Sequence, residues 1–160
     1  MKKVGIVMGS DSDLPVIKKA TEILDELGVP YEAHIYSAHR TPVQARDFAL
    51  GASEKGFGVI IAAAGMAAHL AANTILPVIG IPCKSPCFDG MDALLSTVEM
   101  PTGIPVATVA VGGGANAALL AAQIIAVNDK DLAEKLKNKR VRDTEAVLKK
   151  DERVNEMLKN

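Results

Sequence analysis

The sequence predicts an α/β domain built on a parallel sheet with helices covering both faces. Short apolar segments alternate with longer helical patterns along most of the chain, and the apolar segments are near-continuous runs such as VIIAAAG rather than strict alternations. Composition adds a second constraint. Hydrophobic residues make up 49% of the 160 residues but aromatics only 3%, so the core is built from Ala, Val, Ile and Leu. Small side chains let helices and strands approach closely and leave each subunit a modest buried volume, which favours association.

The elements follow in order. Residues 2–8 (KKVGIVM) read as a buried strand, the GSDSD after it supplies helix-capping side chains, and Leu14 to Leu27 form an amphipathic helix. The unit recurs as YEAHIYS followed by AHRTPVQARDFALGASEKG, and again as VIIAAAG followed by MAAHLAANTI. Further strands are expected at PVIGIP and IPVATVAV. The segment ANAALLAAQIIA is a helix almost without polar residues, which requires burial on most sides. From Asp129 the chain becomes highly charged, with Leu132, Leu136, Val147 and Leu148 forming a narrow apolar stripe. Two readings are open: a solvated helix resting on its own domain, or an arm packing against a neighbouring subunit. With no Ser/Pro/Gly-rich linker dividing it, a single domain over 1–160 is expected, its core about 1–127 and its helical extension about 129–160.

Net charge is −1, from 18 basic and 19 acidic residues, which gives no general attraction for nucleic acid or anionic membranes. Any anion must be held locally. The basic and apolar start is interrupted by Gly9 to Asp13 before a signal-peptide core is complete, and no apolar run reaches the roughly 20 residues of a membrane span. A soluble cytoplasmic protein is expected. Cys83 and Cys87 lack the further cysteines of a four-thiolate site and read as free thiols.

In open parallel sheets ligands bind beyond the carboxyl ends of the strands. The loops to inspect are Gly9 to Asp13, Ser37 to Pro42, Ala64 to His69, Lys84 to Gly90 and Gly112 to Asn116. Ser10, Asp11, Ser12 and Asp13 stand between strand and helix, where backbone N–H groups and the helix dipole favour an anion. Simple N-capping is the other reading of this loop. It matches neither a P-loop nor a dinucleotide fingerprint. Two aspartates would repel a phosphate, so at least one of them is expected to face elsewhere; ribose hydroxyls suit a carboxylate acceptor.

His39 and Arg40 stand side by side at a strand's carboxyl end, with Pro42 suited to the first turn of the next helix. A guanidinium grips phosphate bidentately, and an imidazole both gives and takes a proton near neutral pH. A structural histidine remains the alternative. The AGMAAHLAA turn lets backbone amides approach a ligand closely, so Gly65, Met66 and Ala67 are candidates to hold a carboxylate or carbon dioxide. His69, on the same turn, reads either as a core or capping histidine or as a further substrate contact. His34, His39 and His69 lack the spacing of metal ligands, and no motif for covalent catalysis or a bound cofactor is present. Neither metal nor cofactor is expected.

Taken together, VMGSDSD, SAHRTP, AGMAAHLAA, MPTGIPVATVAV and ANAALLAAQI resemble the class I 5-(carboxyamino)imidazole ribonucleotide mutases of purine biosynthesis. These are the catalytic-subunit type of phosphoribosylaminoimidazole carboxylase, the PurE family. The match runs from about residue 3 to 136, with the five motifs in order. The resemblance implies a three-layer, flavodoxin-like α/β/α domain assembled as a homo-octamer, acting on a small ribonucleotide. By it His39 matches the catalytic histidine, Asp13 falls on the ribose, Ser10, Ser12 and Arg40 surround the phosphate, and Ser37 lies on the second motif.

Three features depart from the family pattern. Met66 stands where Gly or Ser is usual and narrows the expected pocket, the GGGANAA loop is short and lacks a lysine, and KSPCFDGMDAL differs in detail. Three rivals stand beside the mutase: a class II enzyme carboxylating aminoimidazole ribonucleotide with carbon dioxide directly, a carboxylase domain of nickel-pincer cofactor biosynthesis, and a non-catalytic phosphosugar-binding module. The class II motif usually has Lys after the histidine, whereas Arg40-Thr41-Pro42 follows class I. The nickel-pincer type carries an added N-terminal domain, for which this chain leaves no room.

Overall fold

The structure, a computed structural model, describes residues 1–85 and 88–159. Five strands alternate with six helices: β1 (Lys3–Met8), α1 (Leu14–Leu27), β2 (Tyr31–Ile35), α2 (Pro42–Gly51), β3 (Phe57–Ala63), α3 (Met66–Ala71), β4 (Val78–Ile81), α4 (Met91–Val98), β5 (Ala107–Thr108), α5 (Gly114–Ala126) and α6 (Lys130–Leu158). The strands pair in parallel in the order β2-β1-β3-β4-β5. This is the flavodoxin-like order, in which the chain starts at β1, moves out to β2 and returns across to β3. The crevice at the β1/β3 reversal is therefore the place to look for a ligand.

Alternation along β1 divides the core in two. Val4, Ile6 and Met8 face α1, α5 and the buried Leu132 of α6, whereas Val7 packs with Phe48 of α2, Phe57 and Leu70 of α3. Small residues make this close packing possible. A Cβ at Gly5 would lie 2.8 Å from the Phe48 ring, and one at Gly114 would strike the Val16 carbonyl, so α5 rides directly on the backbone of α1. Expected as buried on most sides, α5 buries six of its residues while Asn116 and Gln123 are exposed.

Helix ends follow local chemistry. Gly28, at φ 69, closes α1 in the left-handed region, and the Lys135 ammonium of α6 donates to the Leu27 carbonyl at 2.8 Å, a cation at a helix C-terminus. Three elements differ from the sequence reading. The expected strand over IPVATVAV shrinks to Ala107–Thr108, because Pro105 has no N–H to pair and the segment lies at the sheet edge. The third helix stops at Ala71, where the Asn73 side chain donates to the His69 carbonyl at 2.8 Å. Met91–Val98 forms a helix that the sequence reading did not name.

The inner part of α6 rests on the domain. Asp129 caps it by accepting from Leu132 N–H, and Glu26 of α1 pairs with Arg142 at 2.7 Å and Lys139 at 3.5 Å. The own-domain reading therefore fits Leu132 and Leu136, while Val147 and Leu148 on the outer half are exposed. Among the described residues no helix is long and apolar enough to cross a membrane.

Candidate active site

The first crevice loop leaves β1 at Gly9 and tightens into a 3-10 turn over Asp11–Asp13. Ser10 Oγ accepts from Ser12 N–H at 3.1 Å, while Asp13 Oδ2 accepts from Ser10 N–H at 3.3 Å, the reciprocal pattern of a capping box. Capping is thus one real role of this loop. Ser10 Oγ also lies 2.9 Å from Ser12 Oγ and 3.1 Å from Asp11 Oδ1, so both hydroxyls gather on the exposed side. The two aspartates differ in exposure: Asp13 is buried, whereas Asp11 is exposed beside the two hydroxyls.

The second loop, at the end of β2, is held by its own short bonds. Thr41 Oγ1 accepts from Ser37 N–H at 2.8 Å and donates to the Ser37 carbonyl at 3.2 Å, and Ser37 Oγ accepts from Arg40 N–H at 3.2 Å. Pro42 occupies the first turn of α2. These bonds turn His39 and Arg40 outward, and both are exposed.

The third loop crosses from β3 into α3 through Ala64, whose φ of 59° is left-handed for a non-glycine residue. The Ala64 N–H donates to the Ile81 carbonyl at 3.0 Å, fixing the turn against β4. Gly65 is exposed at the N-terminus of α3 and supplies no side-chain oxygen as a cap, so the first amides of that helix carry no side-chain partner. Met66 and Ala67 are buried and His69 is half-buried, with its Nε2 enclosed and lacking a hydrogen-bond partner among the described residues.

Met66 joins the three loops. Its Sδ accepts from Ala38 N–H at 3.1 Å, next to His39, and its Cγ lies 3.9 Å from the place a Gly9 Cβ would occupy. Instead of lining an open pocket, the side chain is packed beneath the loops as their common support. The same Gly9 position lies 3.9 Å from Asp13 Oδ2.

One residue the sequence reading placed just outside its loops proves to belong with them. Cys83 follows β4 and sits half-buried against the Asp13 carboxylate and the Ala64 backbone; burial first, and the Asp13 charge second, push its thiol up to about 11. The signal was its position directly after PVIGIP, one residue before the loop counted from Lys84. Cys83 is free as expected, while Cys87 lies outside the described residues. The Lys84 to Gly90 loop is tied by Lys84 to Asp89 at 2.9 Å and by Ser85 to Asp92 at 2.6 Å, a bond that holds the Asp92 carboxyl below its usual range. In the fifth loop Gly112 N–H donates to the Pro82 carbonyl at 2.9 Å. The short glycine run there serves packing, since Gly114 is where α5 meets α1.

Ser10, Asp11, Ser12, Asp13, Ser37, His39, Arg40 and the Gly65 turn thus share the carboxyl edge of the sheet around the β1/β3 reversal. A concavity of about 1030 Å³ lies at the opposite edge between the end of α2, residues 71–77 and Gly103–Pro105, and contains none of these candidate residues. Among the described residues no three His, Cys, Asp or Glu side chains cluster as metal ligands would.

Comparison with known proteins bears on this edge. The AIR carboxylase family model matches residues 3–146. An N5-carboxyaminoimidazole ribonucleotide mutase from Pyrococcus horikoshii is 58% identical over 138 residues, covering 84% of this chain and 78% of its own. One from Thermotoga maritima is 50% identical over 161 residues, covering 98% and 94%. The crystal structure of Treponema denticola PurE superposes with a TM-score of 0.81 at 28% identity, over 94% of this chain and 96% of that one. A match along nearly the whole sheet and all five crevice loops leaves one conclusion: the chain belongs to the AIR carboxylase family.

Proposed function

We propose that this protein is an N5-carboxyaminoimidazole ribonucleotide mutase of purine biosynthesis, with His39 as its proton carrier. The observation that carries the reading is the support of three loops by Met66, which brings the His39 segment, the Ser10 to Asp13 turn and the open amides of α3 to one edge. The relatives' shared name supplies the reaction.

The substrate phosphate meets Ser10, Ser12 and Arg40, the ribose hydroxyls donate to Asp13, and Ser37 borders the base. The carboxylate lies toward Gly65, Met66 and Ala67, with His69 behind them. The carbamate bond between nitrogen and carboxyl carbon breaks as the exocyclic nitrogen takes a proton from His39, releasing carbon dioxide beside aminoimidazole ribonucleotide. Carbon 4 of the ring then attacks that carbon dioxide, and the proton on carbon 4 returns to His39. Protons balance within the cycle, and no oxidant, triphosphate or metal is called on. Confinement of the two fragments supplies the effective concentration that free carbon dioxide lacks. His39, Arg40 and Gly65 are open on a single protomer, so exclusion of water falls to the neighbours of a homo-octamer, the assembly this reading includes.

His39→Asn is expected to keep ligand affinity while turnover falls about a hundredfold to ten-thousandfold. An active variant removes the assignment. Presenting the carboxyamino substrate and, separately, aminoimidazole ribonucleotide with bicarbonate decides between mutase and direct carboxylase: efficient turnover only of the second pair overturns the mutase.

A further inference from the structure

Aromatic side chains are few in this chain, and most of them gather at one place. Of its two tyrosines and three phenylalanines, Tyr36, Phe48 and Phe57 meet beside His34, on the face of the sheet that α2 covers. Alternation along the extended edge strand puts Glu32, His34 and Tyr36 in one row. Glu32 holds the start of that row. One of its carboxylate oxygens accepts from Lys3 Nζ and the other from His34 Nε2, each at 2.8 Å. The bond from Lys3 first, and that from His34 second, keep the Glu32 carboxyl below its usual range. Gripped at its edge by a carboxylate, the imidazole turns its face to Tyr36, stacked on it at 5.0 Å between ring centres and 8° from parallel.

These rings stand where the His39 loop begins and ends. Tyr36 still pairs with β1, its N–H donating to the Met8 carbonyl at 3.0 Å, and Ser37 then opens the loop. Pro42 closes it by starting α2, whose Phe48 ring lies 6.0 Å from that of Tyr36 and 5.3 Å from that of His34. Phe48 cannot give way. It is 5% exposed, rests on Phe57 at 5.3 Å, and approaches the backbone at Gly5 so closely that a Cβ there would lie 2.8 Å from its ring. The chain therefore leaves for the loop and returns from it at one aromatic contact. Bonds among Ser37, Arg40 and Thr41 set the shape of the loop, and the ring contact sets where that shape stands on the sheet. Misplacing a reacting group by about 1 Å costs roughly a hundredfold in rate, so this placement matters.

We propose that His34 is a positioning residue for His39: its ring, oriented by Glu32, clamps Tyr36 against Phe48 and so fixes the base of the Ser37 to Thr41 loop. The proposal rests on the reading of His39 as the proton carrier. His34 moves no proton in the reaction and acts through Tyr36 and the loop.

Two substitutions separate the ring from the bond to Glu32. His34→Gln keeps a donor for Glu32 and removes the stack, whereas His34→Phe keeps the stack and removes the donor. In His34→Gln the amides of Ala38, Arg40 and Thr41 are expected to exchange at least about tenfold faster than in wild type, while those of Val4 to Val7 stay protected. Turnover of the carboxyamino substrate is expected to fall about tenfold in kcat with KM held within about twofold. His34→Phe is expected to restore both, and Tyr36→Val, which removes the other face of the stack, to match His34→Gln. Loop exchange unchanged in His34→Gln or in Tyr36→Val, or a Phe variant no better than the Gln variant, overturns the clamp. Faster loop exchange with kcat unchanged overturns its tie to His39, and equal loss of protection across β1 makes His34 a packing residue alone. An active His39→Asn enzyme removes instead the reaction assignment and the catalytic half of the proposal, while the exchange comparison stands apart from it.

Discussion

Cys83 faces two kinds of surroundings, an apolar core behind it and the Asp13 carboxylate beside it. Both oppose the thiolate, so in the fold the thiol titrates at about 11 against an ordinary 9.0. The unfolded chain therefore loses this proton first. The stabilisation is complete below pH 9 and is lost as pH rises towards 11. Comparing wild type with Cys83→Val in denaturation at several pH values isolates it: the wild type is expected to lose stability relative to the variant across that window. Met66 offers a second test. Met66→Leu conserves volume, at a cost of less than about 1.5 kcal/mol, yet removes the acceptor for Ala38 N–H. With the support of the His39 loop loosened, kcat is expected to fall roughly tenfold or more while the thermal midpoint moves little. A parallel loss of both would make Met66 a packing residue alone. The position of His39, Arg40 and the serines at strand ends was legible in the sequence because a strand followed by a helix-starting turn sets it, with a capping box at Ser10 and Pro42 in the first turn of α2. The support from Met66 and the proximity of Cys83 were not, since each depends on which loops meet across β1, β3 and β4.

Among the elements, the tightest junction is α1 against α5. Gly114 touches the Val16 carbonyl where any Cβ would intrude, and neither partner is a flexible side chain. Gly114→Ala is expected to push α5 away and to cost about 1–3 kcal/mol, measured as a lower denaturant midpoint. A neutral effect would show that α5 slides freely. Strong patterns made β1 and α1 readable almost to the residue, because a buried run, a capping turn and a left-handed Gly28 all agree. Weak ones failed where tertiary context decides: β5 is two residues long at a sheet edge, and α4 is a short helix whose Ser96 and Thr97 hydroxyls return to the Ala93 carbonyl.

For the whole molecule, the parallel sheet followed from alternation of strands with helices, but strand order did not. Nothing in the spacing of the strands tells the chain to step from β2 back over β1; the family resemblance carried that part, and the pairing of β1 with both β2 and β3 bears it out. Assembly is the remaining property at this scale. A native mass eight times 16.8 kDa is expected from light scattering, and a monomer at working concentration would leave the candidate crevice open to water.

The place of β1 between β2 and β3 also governs when the crevice can exist. On a growing chain the first strand made acquires one neighbour after about residue 35, but its second only after β3 ends at Ala63. Until then β1 has one bare edge, and Gly9 to Asp13 have no Met66 to rest on. Parallel pairing at such separations forms slowly and leaves strands open to wrong partners. The Ser10 capping box and the Ser37–Thr41 bonds, each complete within its own turn, can form before the sheet closes; the support of both loops by Met66 arrives with β3 and α3, so the capacity to hold a ligand appears late and together.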